Sequence, residues 1–174
     1  MQQQIPQNLI NFTVYRDGST FLGTADITLP SIEYLTDTIK GAGIAGEVEI
    51  PTIGNFGSMT VTLNWRTIAP EAIKLLAPVS HALDFRAVQQ VFDVAGGTIG
   101  SQGFKVSIRA MPKKGDLGKL DVGAKTDSVT ELEVSYIKVE IDGRNMLEID
   151  KFNYKCVIDG VDYLADLRAK LGMG

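Results

Sequence analysis

The chain lacks several residue types on which common protein chemistries depend. Its 174 residues contain one cysteine, Cys156, and one histidine, His81. A disulfide within the chain is therefore excluded, and so is a four-ligand Cys/His zinc site built from one copy. Because a Ser-His or Cys-His nucleophile would depend on His81 alone, the sequence gives little support for an enzyme. We expect no catalytic, metal or cofactor site, and we assign His81 a structural role.

The chain also lacks a surplus of basic charge and a long apolar run. The chain contains 17 Lys and Arg and 21 Asp and Glu, which gives a formal net charge of −4. Proteins that bind the phosphates of nucleic acids carry a surplus of basic residues instead. No apolar run approaches the ~18 residues of a membrane helix. Residues 1–7 have neither the basic nor the apolar part of a secretion signal. We expect a protein made in the cytosol, without stable membrane insertion or tight DNA binding.

Alternation of apolar and polar residues is the most frequent pattern that the chain does contain. It is typical of β-strands, whose successive side chains point to opposite faces. The clearest example covers residues 58–67, in which the apolar positions are Met59, Val61, Leu63 and Trp65. Further strands are predicted over 12–15, 21–29, 32–40, 82–94, 104–111, 129–141, 145–150 and 152–158. The sequence therefore predicts one mainly β domain that spans residues 1–174.

Two helices are predicted beside the strands. Pro70 suits the first turn of a short mid-chain helix, which Pro78 stops. Near the C-terminus, one face of a second helix carries Leu164, Leu167 and Leu171. Asp162 is placed to cap this helix, and Gly172 to end it. We expect the C-terminal helix to lie on the sheet as a lid.

Two long connections and one irregular strand are predicted as well. Residues 41–57 begin with three glycines in six positions around Ile44 and are expected to form a long, mobile loop. Residues 112–127 are rich in Lys, Gly and Asp and are expected to form a second connection. Within 129–141 the apolar face changes sides near Tyr136, which predicts a bulge or a strong twist.

Two classes of function remain open at this point. The chain has glycine-rich loops and more amphipathic strand than its own core needs, which favours a structural protein that assembles with copies of itself. The alternative is a β-barrel that binds a small ligand or a peptide. The acidic residues Asp142, Glu148 and Asp150 do not indicate a calcium site, because no twelve-residue loop of alternating oxygen ligands surrounds them.

Several segments resemble the major tail tube proteins of contractile-tailed phages and of phage-tail-like bacteriocins. The segments that carry the resemblance are 28–30, 41–46, 122–127, 136–144, 148–150 and 157–162, followed by Leu164 and the Leu171-Gly172 ending. Their order and spacing follow the family over nearly the whole chain. The family pattern has a Glu where this chain has Ala124, and a Met near the position of Ile44.

The resemblance implies a tail-tube fold, with a β-sandwich-like or barrel-like protomer and flanking helices. It also implies stacked hexameric rings that form the inner tube of a contractile tail, through which DNA or ions pass and which is driven through the target envelope. The implied partners are further copies of the chain, the tail sheath, the tape measure protein, the baseplate and the tail terminator. DNA is expected only as passing, non-specific cargo. The expected location is the bacterial host cytoplasm during assembly and then a phage or phage-tail-like particle.

Two sets of residues are expected to serve such a tube. A ring-stacking loop, with Ile44 as its apolar anchor, is predicted at Gly41, Ala42, Gly43, Ile44, Ala45, Gly46 and Glu47. The polar faces of two strands are predicted to face the lumen, at Ser58, Thr60, Thr62, Asn64, Lys105, Ser107 and Arg109. The resemblance implies four strands from each of six protomers, and such a barrel has a lumen of about 40 Å, wide enough for double-stranded DNA.

Overall fold

The computed structural model describes residues 3–21 and 26–173, without the side chains of residues 20 and 21, and it is mainly β. The strands in these ranges are β1 (Gln4–Arg16), β2 (Thr20–Phe21), β3 (Asp26–Thr28), β4 (Tyr34–Lys40), β5 (Glu47–Phe56), β6 (Thr60–Trp65), β7 (His81–Asp93), β8 (Thr98–Asp116), β9 (Ser128–Ile141), β10 (Arg144–Asp150), β11 (Lys155–Ile158) and β12 (Val161–Asp162). The helices are α1 (Pro70–Lys74) and α2 (Ala165–Lys170). The mainly β prediction is confirmed. Residues 22–25 of the strand predicted over 21–29 lie outside the described residues.

One antiparallel sheet contains all the described strands except β4 and β5. Its main path follows the order β12-β11-β10-β9-β8-β7-β1-β2. The strand β6 pairs with residues 128–133 of β9, and β3 pairs with β6. The other half of β9, residues 136–141, pairs with β10. The long strand β9 therefore belongs to two adjoining parts of the sheet.

A bulge in β9 joins these two parts, as the sequence predicts. Between Arg109 and Ala110 of β8, the pairing skips Ser135 of β9, as happens when one strand carries an extra residue. The buried face of β9 consequently passes from even-numbered positions up to Val134 to odd-numbered positions from Ile137. Without the bulge, one half of this strand would present its apolar side to water.

Apolar side chains of β1, β6, β7, β8, β9, β10 and the α1 region meet in one core. The alternation predicted over residues 58–67 is confirmed, because Val61, Leu63 and Trp65 are buried there. The largest fully buried side chains are Met59, Leu63, Leu75, Leu83, Ile108, Leu132, Ile149, Val14, Val61 and Val134. His81 is also buried, and its Nε2 lies 3.1 Å from the carbonyl oxygen of Ala77.

Strand structure extends further than the sequence pattern indicates. The prediction of one loop over 41–57 is wrong, since β5 occupies 47–56 and pairs with β4. The connection predicted over 112–127 is likewise too long, because β8 continues to Asp116 beside β9. The apolar alternation of β5 ends at Ile50, and residues 112–116 of β8 have none. In both places pairing with a neighbouring strand supplies the backbone hydrogen bonds that hold the segment as a strand. Pro112 is tolerated in β8 because it borders a register shift in the ladder.

The C-terminal helix α2 is anchored at its beginning and ends at a glycine. Leu164 is buried and Leu167 is partly buried, but Leu171 is 53 % exposed, so only the first two leucines pack against the core. Asp162 accepts a hydrogen bond from the Leu164 N–H at 3.1 Å. The prediction that Asp162 caps the helix is wrong, because the N-cap residue is Leu164 and no side chain caps the first turn. Gly172 has a φ of +71°, which ends the helix in the left-handed conformation that glycine favours.

Candidate assembly surfaces

The strands β4 and β5 form a hairpin, here called the arm, that pairs with no other described strand. Tyr34 pairs with Phe56 at its base, and Lys40 pairs with Glu47 at its tip. All of β4 and nearly all of β5 is exposed. An isolated two-stranded hairpin is only marginally stable in water. The arm therefore lacks both the neighbouring strands and the burial that strands in a folded protein ordinarily have.

The two faces of the arm differ in chemistry. Its register places Ile39 beside Val48 and Asp37 beside Ile50 on one face. Alternation along β4 adds Leu35 to that face. The four apolar side chains of this face are 40–53 % exposed. The opposite face carries Thr36, Thr38, Lys40, Glu47 and Glu49. The arm is thus amphipathic, and its apolar side has no partner within the described chain.

The predicted ring-stacking residues lie at the tip of the arm. Residues 41–46 connect the two strands, and Glu47 begins β5. Gly43 and Gly46 have φ values of +89° and +105°, which only glycine adopts readily. Ile44, between them, is 38 % exposed. The tip is therefore a tight glycine turn that presents one isoleucine.

An apolar cleft of about 280 Å³ separates the base of the arm from the C-terminal region. Ile53 and Phe56 of β5 line one side, and Cys156 and Leu164 line the other. A Cβ added to Gly54 would lie 3.0 Å from the Cδ2 atom of Leu167, so the arm contacts α2 closely through a glycine. The arm is anchored at this end, and sequence reasoning gave no signal of the cleft because its two sides are about 100 residues apart.

Three weak acids meet in this cleft, namely Tyr34, Cys156 and Tyr163. Burial raises the pKa of the Tyr34 hydroxyl, and the negative charges of the Cys156 and Tyr163 anions would raise it further. Burial also raises the pKa of the Cys156 thiol. Neither tyrosine hydroxyl hydrogen-bonds to a residue of the described chain. The cleft therefore offers hydrogen-bond donors within an apolar lining.

The first predicted lumen set lies on the side of β6 that faces away from the core. The Ser58 hydroxyl donates a hydrogen bond to Glu133 of β9 at 2.7 Å. The Lys113 ammonium lies 3.8 Å from the Glu133 carboxylate and donates a hydrogen bond to Thr60 at 3.3 Å. Ser58 and Asn64 are exposed. This surface, the β6 wall, comprises Ser58, Thr60, Thr62 and Asn64.

The second predicted lumen set lies on the outward side of β8. The Lys105 ammonium lies 3.5 Å from the Asp84 carboxylate on β7. The Arg109 guanidinium lies 4.9 Å from the centre of the Tyr136 ring on β9, a distance at which a cation is attracted to the ring face. This surface, the β8 wall, comprises Lys105, Ser107 and Arg109.

A hydrogen-bond network fixes the edge of the β8 wall. The Tyr136 hydroxyl donates to Glu148 at 3.1 Å, and the Lys155 ammonium donates to the same carboxylate at 3.1 Å. Burial, the hydrogen bond to Glu148 and the charge of Glu148 raise the pKa of Tyr136 to about 12. Burial alone raises the pKa of Glu148, but hydrogen bonds from Lys155, Tyr136 and Asn145 outweigh it and lower that pKa.

The two walls face away from the core, as alternation predicts, but they occupy different parts of the sheet. The β6 wall borders the first half of β9, and the β8 wall borders the second half. The bulge at Ser135 separates these halves. The two sets that the sequence grouped together are therefore two separate surfaces.

One edge of β1 is open over most of its length within the described chain. On one side β1 pairs with β7, whereas on the other β2 pairs only with Tyr15 and Arg16. Ile5, Leu9 and Ile10 are about half exposed along this strand. Open backbone groups of an edge strand form a template for pairing with another strand. Sequence reasoning missed this edge because the first predicted strand covers only residues 12–15, whereas β1 begins at Gln4.

The connection loop between β8 and β9, residues 117–127, is anchored at its ends and exposes two aliphatic side chains. The Thr126 N–H donates a hydrogen bond to the Arg66 carbonyl at 3.1 Å. A Cβ added to Gly118 would lie 1.9 Å from the Thr126 carbonyl oxygen. Leu120 is nevertheless 85 % exposed, and Val122 is fully exposed.

The described residues contain no arrangement suited to a metal ion. In the ranges 3–21 and 26–173, no group of three His, Cys, Asp and Glu side chains is placed to bind one. Asp150 instead accepts hydrogen bonds from the N–H groups of Phe152 and Asn153, each at 3.1 Å, and so orders a turn. No helix in the same ranges is long and apolar enough to cross a membrane.

Comparison with known proteins identifies the family. The model of the family described as phage tail tube protein FII matches residues 6–172. The chain is 27 % identical over 172 residues to the major tail tube protein of Serratia phage KSP20, covering 98 % of both proteins. It is 24 % identical over 182 residues to the tail tube protein of Escherichia phage P2, covering 97 % of this chain and 99 % of the relative.

A solved structure shares the fold at lower sequence identity. It is the sheath/tube terminator of an extracellular contractile injection system, PVC, in the extended state, with a TM-score of 0.54 and 15 % identity. The match covers 78 % of this chain and 97 % of the terminator. The family match supports the resemblance that the sequence segments indicated, and it spans almost the entire chain. The chain therefore belongs to the phage tail tube protein FII family.

Proposed function

We propose that this protein is the structural subunit of the inner tube of a contractile tail, and that its copies assemble into stacked hexameric rings. The observation that carries the proposal is the uncovered apolar face of the arm. A chain with such a face is incomplete as a monomer, because the side chains that would bury it must come from another molecule. Membership of the tail tube family makes further copies of the same chain the natural source.

The total surface of the protomer supports assembly. A compact monomer of 18.8 kDa exposes roughly 8,300 Å², whereas this chain exposes 10,995 Å². The excess is about 2,700 Å². A stable interface buries about 800 Å² on each partner. The excess surface is thus sufficient for several neighbours, as a protomer within a stacked ring has.

The arm supplies the contact between rings in this proposal. Burying the exposed halves of Leu35, Ile39, Val48 and Ile50 contributes roughly 3–6 kcal/mol per arm, before the cost of association. Ile44 at the tip adds to this contact. Each ring would carry one arm per protomer, so individually modest contacts add up to a stable junction.

The β8 wall is the surface that we assign to the lumen. It lies on the ladder β1-β7-β8-β9, and the open edge of β1 allows a neighbouring protomer to continue this ladder around a ring. Closing a sheet into a barrel in this way also removes its free edges. Lys105, Ser107 and Arg109 then line the channel. The strand β6 lies off this ladder, so in this proposal the β6 wall, although also predicted to face the lumen, lies outside the channel.

The remaining partners follow from the role of a tube. The sheath would surround it, the tape measure protein would occupy it during assembly, and the baseplate and tail terminator would close its ends. DNA or ions would pass through as cargo. The protein would be made in the bacterial host cytoplasm and then become part of a phage or phage-tail-like particle.

The test of assembly is negative-stain electron microscopy of the purified protein together with the variant Ile44→Asp. Wild type is expected to form rings or tubes of uniform width. The variant should melt at nearly the wild-type temperature but fail to grow tubes, because Ile44 lies at an exposed tip. Ile73→Asp on α1, where the side chain is 46 % exposed, is the matched control and should assemble. A wild type that stays monomeric at high concentration contradicts the proposal.

The lumen assignment has its own test. Arg109→Cys and Asn64→Cys, each combined with Cys156→Ala, place a single exposed thiol on the β8 wall or the β6 wall. In assembled tubes a maleimide attached to a large polymer should label Asn64→Cys rapidly and Arg109→Cys slowly, while a small maleimide labels both. Rapid polymer labelling at Arg109→Cys with protection at Asn64→Cys would reverse the assignment.

A further inference from the structure

We infer that the connection loop of one protomer inserts Leu120 and Val122 into the apolar cleft at the arm base of a neighbouring protomer. This contact rests on the proposed self-assembly and specifies one of its interfaces. It joins the most exposed aliphatic side chains of the described chain to an apolar cavity that the described chain leaves unfilled.

Hydrogen bonds hold the two ends of the connection loop close together. Besides the anchor of Thr126 on Arg66, the Lys119 N–H donates to the Thr126 carbonyl at 2.9 Å, and the Ser128 hydroxyl donates to the Leu117 carbonyl at 2.9 Å. A segment already held in one conformation loses little entropy when it binds. The Ala124 N–H also donates to the Asp121 carbonyl at 3.1 Å, which forms a turn between these ends. Leu120 and Val122 therefore project from a short loop whose ends are already fixed.

The cleft offers space and an apolar lining. Its volume of about 280 Å³ is many times the ~30 Å³ that a water molecule occupies in the liquid. Pro51, Ile53 and Phe56 of the arm and Ile158 of β11 contribute apolar surface. Filling such a space with aliphatic groups removes apolar surface of both partners from water, which is the main favourable contribution to association.

The polar groups of the two surfaces are also complementary. Asp121 lies between Leu120 and Val122 in sequence, and its carboxylate forms no ion pair or hydrogen bond within the described chain. Tyr34 and Tyr163 line the cleft, and their hydroxyls hydrogen-bond to no residue of the described chain. A hydroxyl that donates to a carboxylate forms a short, strong hydrogen bond. In the proposed contact, the Asp121 carboxylate would accept hydrogen bonds from the tyrosine hydroxyls while Leu120 and Val122 pack against the apolar lining.

The partner is a second copy of the chain. Val122 is fully exposed in its own protomer, so it does not reach its own cleft. The protomer exposes about 2,700 Å² more than a compact monomer of its mass, and the loop and the cleft are both part of that surface. Each copy carries one loop and one cleft, so the contact can repeat from protomer to protomer in a closed ring.

Site-directed disulfide formation tests the contact. Two proteins that both carry Cys156→Ala are mixed before assembly, one with Val122→Cys and the other, carrying a longer purification tag, with Ile53→Cys at the rim of the cleft. After assembly and mild oxidation, a covalent heterodimer is expected on a non-reducing gel. Ile99→Cys, at a side chain that is 69 % exposed on β8, replaces Ile53→Cys as the control and should give no heterodimer.

A second variant measures the contribution of the contact. Val122→Asp should leave the melting temperature of the protomer unchanged and slow tube growth at least tenfold, whereas Val79→Asp, at another exposed valine, should grow at the wild-type rate. Tubes that form normally from Val122→Asp, or tubes without the heterodimer, overturn this inference while the proposed function stands. A wild type that forms no tubes overturns the proposed function itself.

Discussion

The strand β6 and the arm carry similar alternating sequences but lie in opposite environments. On β6, Leu63 is fully buried under the rest of the sheet. On the arm, the corresponding apolar positions Ile39, Val48 and Ile50 are 40–47 % exposed. Alternation therefore indicates that one face of a strand is apolar and is to be buried. It does not indicate whether residues of the same chain or of another chain bury that face. The comparison separates residues that stabilise the folded protomer from residues that we propose to contribute to assembly.

The largest effect on the protomer is expected from the core side of this comparison. Leu63→Ala removes a side chain with no exposed surface and should lower the free energy of unfolding by about 2–5 kcal/mol, through lost burial and the cavity left behind. Urea denaturation followed by circular dichroism measures the change. A loss below about 1 kcal/mol would mean that β6 is not part of a packed core.

Gly118→Ala tests whether a substitution in the exposed connection loop can lower the free energy of unfolding as much as a substitution in the core. Its new Cβ would lie 1.9 Å from the Thr126 carbonyl oxygen, at a φ of +86°, so we expect a loss of about 2–4 kcal/mol in unfolding free energy. Gly123→Ala in the same loop is the matched control. It has a φ of +81° with nothing within 4 Å and should lose only about 1 kcal/mol. Equal losses would show that the close approach to Thr126 is unimportant.

Glu148→Gln tests the hydrogen-bond network on the outer, polar face of the sheet. It should lower the free energy of unfolding less than Leu63→Ala or Gly118→Ala does. The folded state lowers the pKa of Glu148, so its stabilising contribution is present above the unfolded pKa of about 4.5 and is lost as the pH falls through the folded pKa. At pH 7 the variant should lose about 1–2 kcal/mol, and the difference from wild type should shrink as the pH falls below about 4.5. Denaturation at pH 7 and pH 3 measures both values.

Asp166→Asn, in a surface pair with Lys170, is the control and should change stability little at either pH. A difference as large at pH 3 as at pH 7 would exclude the charge as its source.

The smallest effect on the protomer is expected on the arm. Ile50→Ser should change the unfolding free energy by less than about 0.5 kcal/mol, as exposed substitutions commonly do, yet it should reduce tube growth strongly. Denaturation and light scattering of the same sample measure the two outcomes. Thr38→Ser on the polar face of the arm should leave both unchanged. If Ile50→Ser unfolds the protomer, the arm belongs to the core and the comparison fails.

The sequence alone predicted those features that depend on local patterns. The burial of Val61 and Leu63, the bulge that moves the buried face of β9 near Tyr136, and the end of α2 at Gly172 all follow from periodicity or from the conformational range of glycine. Each of these signals lies within a few consecutive residues. The family resemblance came from short segments together with their order and spacing along the chain, which can also be read from the sequence.

The features that the sequence did not predict depend on pairing between distant residues. The strand β5 was taken for part of a loop because three glycines precede it and Pro51 follows residue 50, yet its backbone pairs with β4. The continuation of β8 to Asp116 was missed because residues 112–127 are rich in Lys, Gly and Asp, yet it pairs with β9. The β6 wall and the β8 wall were grouped because each is polar, and only the register of β9 separates them.

The long strand β9 has a mechanical consequence. It is hydrogen-bonded to β8 along nearly all of its length, to β6 over its first half and to β10 over its second. A force applied along this strand would load many ladder hydrogen bonds together instead of opening them one after another. Because the covalent backbone passes unbroken through the bulge, a push on the β3-β6 end reaches β10 and β11 without crossing a loop. Close-packed interiors transmit strain with little compression, so the subunit would behave under axial load as one stiff element.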